Sequence, residues 1–192
     1  LRTEFLQLLG NVLAGDVQSQ GVLAFHDAWA QAAASRPPHI SALTGSGSGP
    51  AAVVLDIIDP NGAHLGMTSA AGPVAGDIPY GTFMTLIDAS PAFSQLGLVT
   101  VPESGTYTVQ LRATASAAFD LGLVVPEGSQ LRRLAYPGVA IQNGGSARVV
   151  FTVGASNAYV LELDSDGDGI FEQQVSPQIN VVVSDTGPSL VS

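Results

Sequence analysis

From residue 51 onward the sequence breaks into short apolar runs separated by turn formers, and this spacing limits the possible folds more than any other feature. Residues 51–58 form an apolar run that stops at Asp59-Pro-Asn-Gly62, a four-residue turn signal. Residues 63–67 would run back. After a loose stretch rich in Gly, Ala and Pro at 68–79, strand-like segments recur at 80–87, 95–101, 106–114, 118–125, 131–141, 147–153, 158–163, 170–175 and 179–183. Pro102-Glu-Ser-Gly105, Asn143-Gly144-Gly145 and Gly154-Ala-Ser-Asn157 supply turns between them. Alternation is clearest in Thr106–Arg112. There Tyr107, Val109 and Leu111 face one side while Thr108, Gln110 and Arg112 face the other, the pattern of a half-buried antiparallel strand. Many short strands with no long helix among them predict an antiparallel β-sandwich, Ig-like or jelly-roll-like.

Residues 1–36 read differently. Leu1, Phe5, Leu8, Leu9 and Val12 recur at helical spacing, as do Val22, Phe25, Trp29 and Ala33, with a break near Gly15-Asp16 and a stop at Arg36-Pro37-Pro38. Two short helices are expected, docked on the following domain or on a partner. His26, Asp27 and His39 have no partner at ligand spacing, so solvated or capping roles are expected for them, and Trp29 reads as a packing anchor. Residues 37–50, ending in Thr44-Gly-Ser-Gly-Ser-Gly-Pro50, read as a flexible linker. The expected organisation is thus a helical segment at 1–36, a linker at 37–50, a sandwich at 51–178 and a terminal strand or tail at 179–192. The chain starts at Leu1 with neither an initiator Met nor a basic and apolar leader, which leaves a removed leader and a fragment of a longer protein both open.

The chemistry concentrates in Asp164-Ser-Asp166-Gly-Asp168-Gly-Ile170-Phe-Glu172, four acids within nine positions between two strand-like segments. Oxygen ligands at alternate positions followed by glycine suit a hard cation that needs several carboxylates and a sharply turned backbone. Without a cation, three aspartates would repel one another across a tight turn. The expected ligands are Asp164, Asp166, Asp168, the carbonyl of Ile170 and Glu172, and the expected ion is Ca2+. Mg2+ keeps most of its waters and rarely uses a loop so rich in carboxylates. Leu161 and Leu163 before the loop, and Phe171 and Val175 after it, are expected to point into one core. Fixing the turn would then fix their register.

Other chemistry is sparse. The chain has no cysteine, which removes disulfides and thiolate metal sites. With six arginines, no lysine and a net charge of −10, it would be repelled by nucleic acid and by anionic membranes. No apolar run is long enough to span a bilayer, and no Asn-x-Ser/Thr site occurs. The Gly-Ser repeat is neither a nucleophile elbow nor a phosphate loop, because its register and its missing lysine rule out both. No nucleophile, base and orienter assemble, so no catalytic residue is assigned. His64 is expected to be exposed at a strand end, Asp88, Glu103 and Asp120 to be surface or capping groups, and Arg132-Arg133 to form a surface ion pair.

Leu55-Asp-Ile-Ile-Asp-Pro-Asn-Gly62, Val101-Pro-Glu-Ser-Gly-Thr-Tyr-Thr-Val-Gln-Leu111 and Phe119-Asp-Leu-Gly-Leu123 together resemble bacterial extracellular β-sandwich modules of the pre-peptidase C-terminal type. The resemblance covers roughly residues 51 to 125 and implies a non-catalytic accessory module, extracellular or at the cell surface. The acidic loop resembles the first half of an EF-hand loop and the calcium repeats of dockerins and thrombospondins. It departs from the EF-hand at the twelfth position, Val175 instead of glutamate, and its flanks are strand-like, so a clamped hairpin is expected in place of a switching helix pair. The partners expected are proteins, neighbouring subunits or a glycan. An alternative is a structural subunit of a fibre or surface layer, joined as a homopolymer through its terminal segments, with 179–185 pairing to a neighbouring edge.

Overall fold

A computed structural model describes residues 38–46, 52–69, 72–87 and 93–183, and these form thirteen strands in two antiparallel sheets. The six-stranded sheet runs β13 (Ile179–Val183), β9 (Gln130–Ile141), β8 (Ala117–Glu127), β1 (Ile40–Ser46), β6 (Phe93–Val99), β5 (Gly81–Ile87). The seven-stranded sheet runs β12 (Gln173–Val175), β11 (Leu161–Asp164), β10 (Ser146–Thr152), β7 (Thr106–Ala113), β2 (Val53–Ile58), β3 (His64–Met67), β4 (Val74–Gly76). The two helices expected at 1–36, with His26, Asp27 and Trp29, lie outside the described residues, as does Asp88.

Period-two alternation builds the core. On β7, Tyr107, Val109, Leu111 and Ala113 are buried while the residues between them are not. They join Val53, Leu55 and Ile57 of β2, Ala147, Val149 and Phe151 of β10, and Leu161 and Leu163 of β11. The other sheet contributes Ile40 and Ala42, Phe119, Leu121, Leu123 and Val125, and Leu134 and Tyr136 to the same cluster. Tyr107 and Phe151, cross-strand partners, stack with ring centroids 6.1 Å apart. The Asp59-Pro-Asn-Gly62 turn forms as expected. The Asp59 Oδ1 atom accepts from the backbone N–H of Asn61 and of Ala63, both at 2.8 Å, which closes the β2–β3 hairpin.

Three expectations fail. Residues 40–46, read as linker, are a central strand of the six-stranded sheet, paired with β6 on one side and β8 on the other. His39, expected to have a solvated or capping role, is buried at its start. Composition misleads here because Gly45 and Ser46 pair in register like any other residue, while Ile40 to Thr44 are almost wholly buried. Residues 74–76, read as part of a loose segment, form the edge strand β4. The terminal run 179–183 pairs in register with β9, and Val183 packs against Val124 and Leu131 in a second small cluster.

Gln95 is a polar side chain in the interior. Its Oε1 accepts from Leu55 N–H and its Nε2 donates to the Val53 carbonyl, both at 2.8 Å. The β2–β3 ladder covers only Asp56 to Ile58, so β2 is left open at Val53 to Leu55. The amide of Gln95 stands in for the missing strand.

Burial raises the pKa of Tyr107, Tyr136 and Tyr159 above the ordinary phenol value of 10.0. A folded-state pKa above the unfolded one means that the native state holds its proton more tightly. This contribution to stability is fully present below pH 10.0 and is lost as pH rises through the folded values. The urea midpoint is therefore expected to drop above pH 10, with the phenolate absorbance of these three tyrosines appearing only as the chain unfolds. Titration of all tyrosines near the ordinary value in folded protein would contradict this.

Candidate metal centre

The acidic loop joins β11 to β12, which pair as Leu161 with Val175, Glu162 with Gln174 and Leu163 with Gln173. Val175, the residue at the glutamate position of an EF-hand, is thus engaged in the ladder opposite Leu161 and packs on the core. Leu161 and Leu163 are buried as expected. Phe171 is not in the core. It lies under the Arg148 guanidinium, 4.0 Å from the ring centroid, beside the Arg148–Glu162 ion pair at 2.6 Å. A residue just past a tight turn is not bound to the strand's alternation, and the arginine gives the ring a partner outside the core.

Asp164 organises the loop. It is 2 % exposed, ends β11 and stands opposite Ser146 of β10. The Asp164 Oδ1 atom accepts from Gly167 N–H at 2.7 Å, and Oδ2 accepts from Gly169 N–H at 3.1 Å and from the Ser146 hydroxyl at 3.2 Å. A carboxylate with three donors in place before any ion arrives is preorganised as a ligand. Further along, Asp166 Oδ1 accepts from Asp168 N–H at 3.3 Å and Asp168 Oδ1 from Ile170 N–H at 2.8 Å. These bonds wrap the backbone around the side chains. Gly169 has φ +89°, a conformation that penalises any other residue, and a Cβ on Gly167 would lie 2.8 Å from the Gly144 carbonyl oxygen.

The loop also docks sideways. Gln142 N–H donates to the Ser165 carbonyl at 3.3 Å, so the turn between β9 and β10 braces it. Ser146 and this turn are contacts that the local sequence pattern does not reveal, because they lie about twenty residues upstream.

Asp164, Asp166, Asp168 and Glu172 each offer one carboxylate oxygen, and these atoms lie within 4.8 Å of one another. All four predicted side-chain ligands are thus brought together, and Ile170 belongs to the same turn. Asp166, Asp168 and Glu172 are exposed, and among the described residues none of the four forms an ion pair. Like charges at such separations repel by on the order of 1 kcal/mol per pair even in bulk water. The arrangement fits a divalent cation that takes oxygen ligands.

The remaining candidates lie elsewhere. His64 Nδ1 sits 2.7 Å from Oδ2 of the buried Asp56, a tighter partnership than an exposed strand end implies. Among the described residues no hydroxyl hydrogen-bonds to its other nitrogen. Arg132 pairs with Glu127, as expected of a surface ion pair. Asp120 Oδ1 accepts from Gly138 N–H at 2.8 Å, a capping role across β8 and β9. The chain matches no family model, no curated protein and no solved structure.

Proposed function

We propose that the chain is a non-catalytic β-sandwich, stabilised by Ca2+ and working outside the cell or on its surface as an accessory or interaction module. The observation that carries this is the gathering of four carboxylates within 4.8 Å at one hairpin end. Asp164, Asp166, Asp168, Glu172 and the Ile170 carbonyl would hold the ion, with water completing the shell. Ca2+ suits them because it accepts six to eight oxygens in flexible geometry, whereas Mg2+ demands a smaller, stricter octahedron. A bound ion would clamp Leu161 and Leu163 in register without any helix to move, so its role is to hold the fold. Such a site is best filled where calcium is plentiful, and this supports the extracellular setting. The resemblance of residues 51 to 125 to pre-peptidase C-terminal modules supports an accessory role.

Calorimetric titration of the chelated protein with Ca2+ and Mg2+ tests the proposal. One Ca2+ per chain is expected, weakened at least tenfold by Asp166→Asn, with little uptake of Mg2+. No uptake at extracellular calcium concentrations would overturn it. Saturable binding to a protein or glycan supports the module, and turnover of any substrate in a hydrolase panel would overturn the non-catalytic assignment.

One observation favours the alternative of a fibre subunit. Among the described residues no strand pairs with the outer edge of β13, and Val181 and Val182 on it are 48 % and 38 % exposed. Light scattering during a calcium titration separates the two. A monomer throughout is expected, and growth of large ordered particles would favour the fibre.

A further inference from the structure

The outer face of the six-stranded sheet is built like an interior. Along β6, Gln95 reaches across to β2, and a Cβ on Gly97 would lie 2.7 Å from the Ile57 side chain. Both therefore face the core, and Leu96 between them points away from it. Leu43 stands opposite Leu96 and follows a core residue, Ala42, so it shares that outward face. Leu43 and Leu96 belong to neither apolar cluster of the sandwich, yet each is only 1 % exposed. Ser41, two residues from Leu43 on the same face, is wholly buried. Arg133 lies in its row, beyond Val124. Its Nε and Nη2 atoms are out of water, and that loss of water pushes its pKa below the usual guanidinium value. The seven-stranded sheet packs on the inner side and does not supply this cover.

Where the chain enters the sheet points to the occupant. Residues 1–37 lead into β1 through Pro38 and His39 alone, and Leu43 lies on β1 itself. The other stretches outside the described residues are poorly placed to reach it. Residues 47–51 run on to β2 of the opposite sheet, and 70–71 join β3 to β4 there. Residues 88–92 have five positions in which to turn β5 into β6, and 184–192 follow β13 at the far edge. Residues 1–36 also carry an apolar stripe of their own, with Phe5, Leu8 and Val12, then Val22, Phe25 and Trp29, at helical spacing. Two short helices bury little against each other, so this stripe needs a partner as much as the sheet face does.

We propose that residues 1–36 fold back as amphipathic helices and lay this stripe across the outer face of β1 and β6 of the same chain. A helix of about 14 residues is about 21 Å long, enough to cross four strands spaced about 4.8 Å apart. The two-residue tether holds the stripe beside the face at an effective concentration on the order of millimolar, so a second copy competes poorly for it. One association also hides both apolar surfaces, whereas pairing two such faces between copies would leave both stripes in water. The helical segment is on this reading the third layer of the sandwich, and the face it covers is closed to other partners while it stays in place.

The chain has no cysteine, so a nitroxide spin label can be attached at a single chosen site. The test places it through Gln31→Cys, on the side of the second helix opposite Trp29, in the full chain with excess calcium. With the label oxidised, the methyl NMR signals of Leu43 and Leu96 are expected to lose most of their height relative to the reduced label. Those of Val150, exposed on the outer face of the other sheet, are expected to keep theirs. Adding Phe25→Asp within the stripe should restore Leu43 and Leu96, with unshifted Val150 signals showing that the sandwich is intact. Mixing isotope-labelled chains that lack the nitroxide with unlabelled chains that carry it should produce no loss. Loss in that mixture would overturn the proposal in favour of a second copy. Full signals at Leu43 and Leu96 within one chain, loss at Val150 instead, or loss that Phe25→Asp leaves unaltered would also overturn it. None of these outcomes depends on the metal loop.

Discussion

Asp164→Ala is expected to destabilise the protein whether or not calcium is present, and Asp166→Ala only when it is. The two aspartates occupy the same loop but differ in what the protein itself asks of them. Asp164 is buried and accepts three hydrogen bonds, from Gly167, Gly169 and Ser146. Alanine there leaves those donors short of an acceptor and unties the loop from β10, a loss of about 3–5 kcal/mol by comparison with other buried, hydrogen-bonded charges. Asp166 is exposed and accepts one long bond from Asp168 N–H, so without an ion its loss costs little and relieves repulsion from the other three carboxylates. With calcium at a hundred times its dissociation constant, binding adds about 2.7 kcal/mol of stability, or roughly 5–10 °C in melting temperature for a chain of this size. Asp166→Ala should forfeit most of that increment and none of the remainder. Thermal melts of wild type and both variants, in calcium and in chelator, measure all the differences at once. Equal losses for Asp166→Ala in both conditions would mean that the loop is a polar turn and no more.

The same contrast shows which parts of the site are legible in sequence. Spacing alone brings Asp164, Asp166, Asp168 and Glu172 together, because the ligands and the turn that gathers them lie within nine residues. It cannot separate the buried anchor from the exposed ligands, since that distinction comes from Ser146 and from the turn at Gln142 to Gly145. The fold divides along a similar line. Strands with alternating residues and clear turn formers, such as Thr106–Ala113, are found at nearly their observed bounds. Strand β1 is missed because its glycine- and serine-rich end looks like a linker, and neighbours on both sides replace intrinsic strand preference. The short β4 carries too few residues for any period to appear. Phe171 is misplaced because its partner, Arg148, comes from another strand.

Gln95→Leu is a second substitution in which such non-local geometry should have a large effect on stability. In sequence, Gln95 opens a strand-like segment and invites placement on the solvent face. In the fold it is 1 % exposed and bonds to both Leu55 N–H and the Val53 carbonyl, on the strand of the opposite sheet. Leucine fills a similar volume, so no large cavity opens, and the transfer of an apolar side chain to the interior is favourable in itself. Against that, two backbone groups of β2 lose their partners in a place that water does not reach, at about 1–3 kcal/mol each. The expected net loss is thus roughly 2–5 kcal/mol, a large fraction of the 5–15 kcal/mol that holds a typical domain together. Gln110→Leu, on a half-buried position of β7, is the matched control and should stay within about 0.5 kcal/mol of wild type. Urea unfolding of both variants decides between the terms. A near-neutral Gln95→Leu would mean that water or a shifted β3 can complete β2, and that the glutamine is a replaceable filler instead of the piece of ladder it resembles.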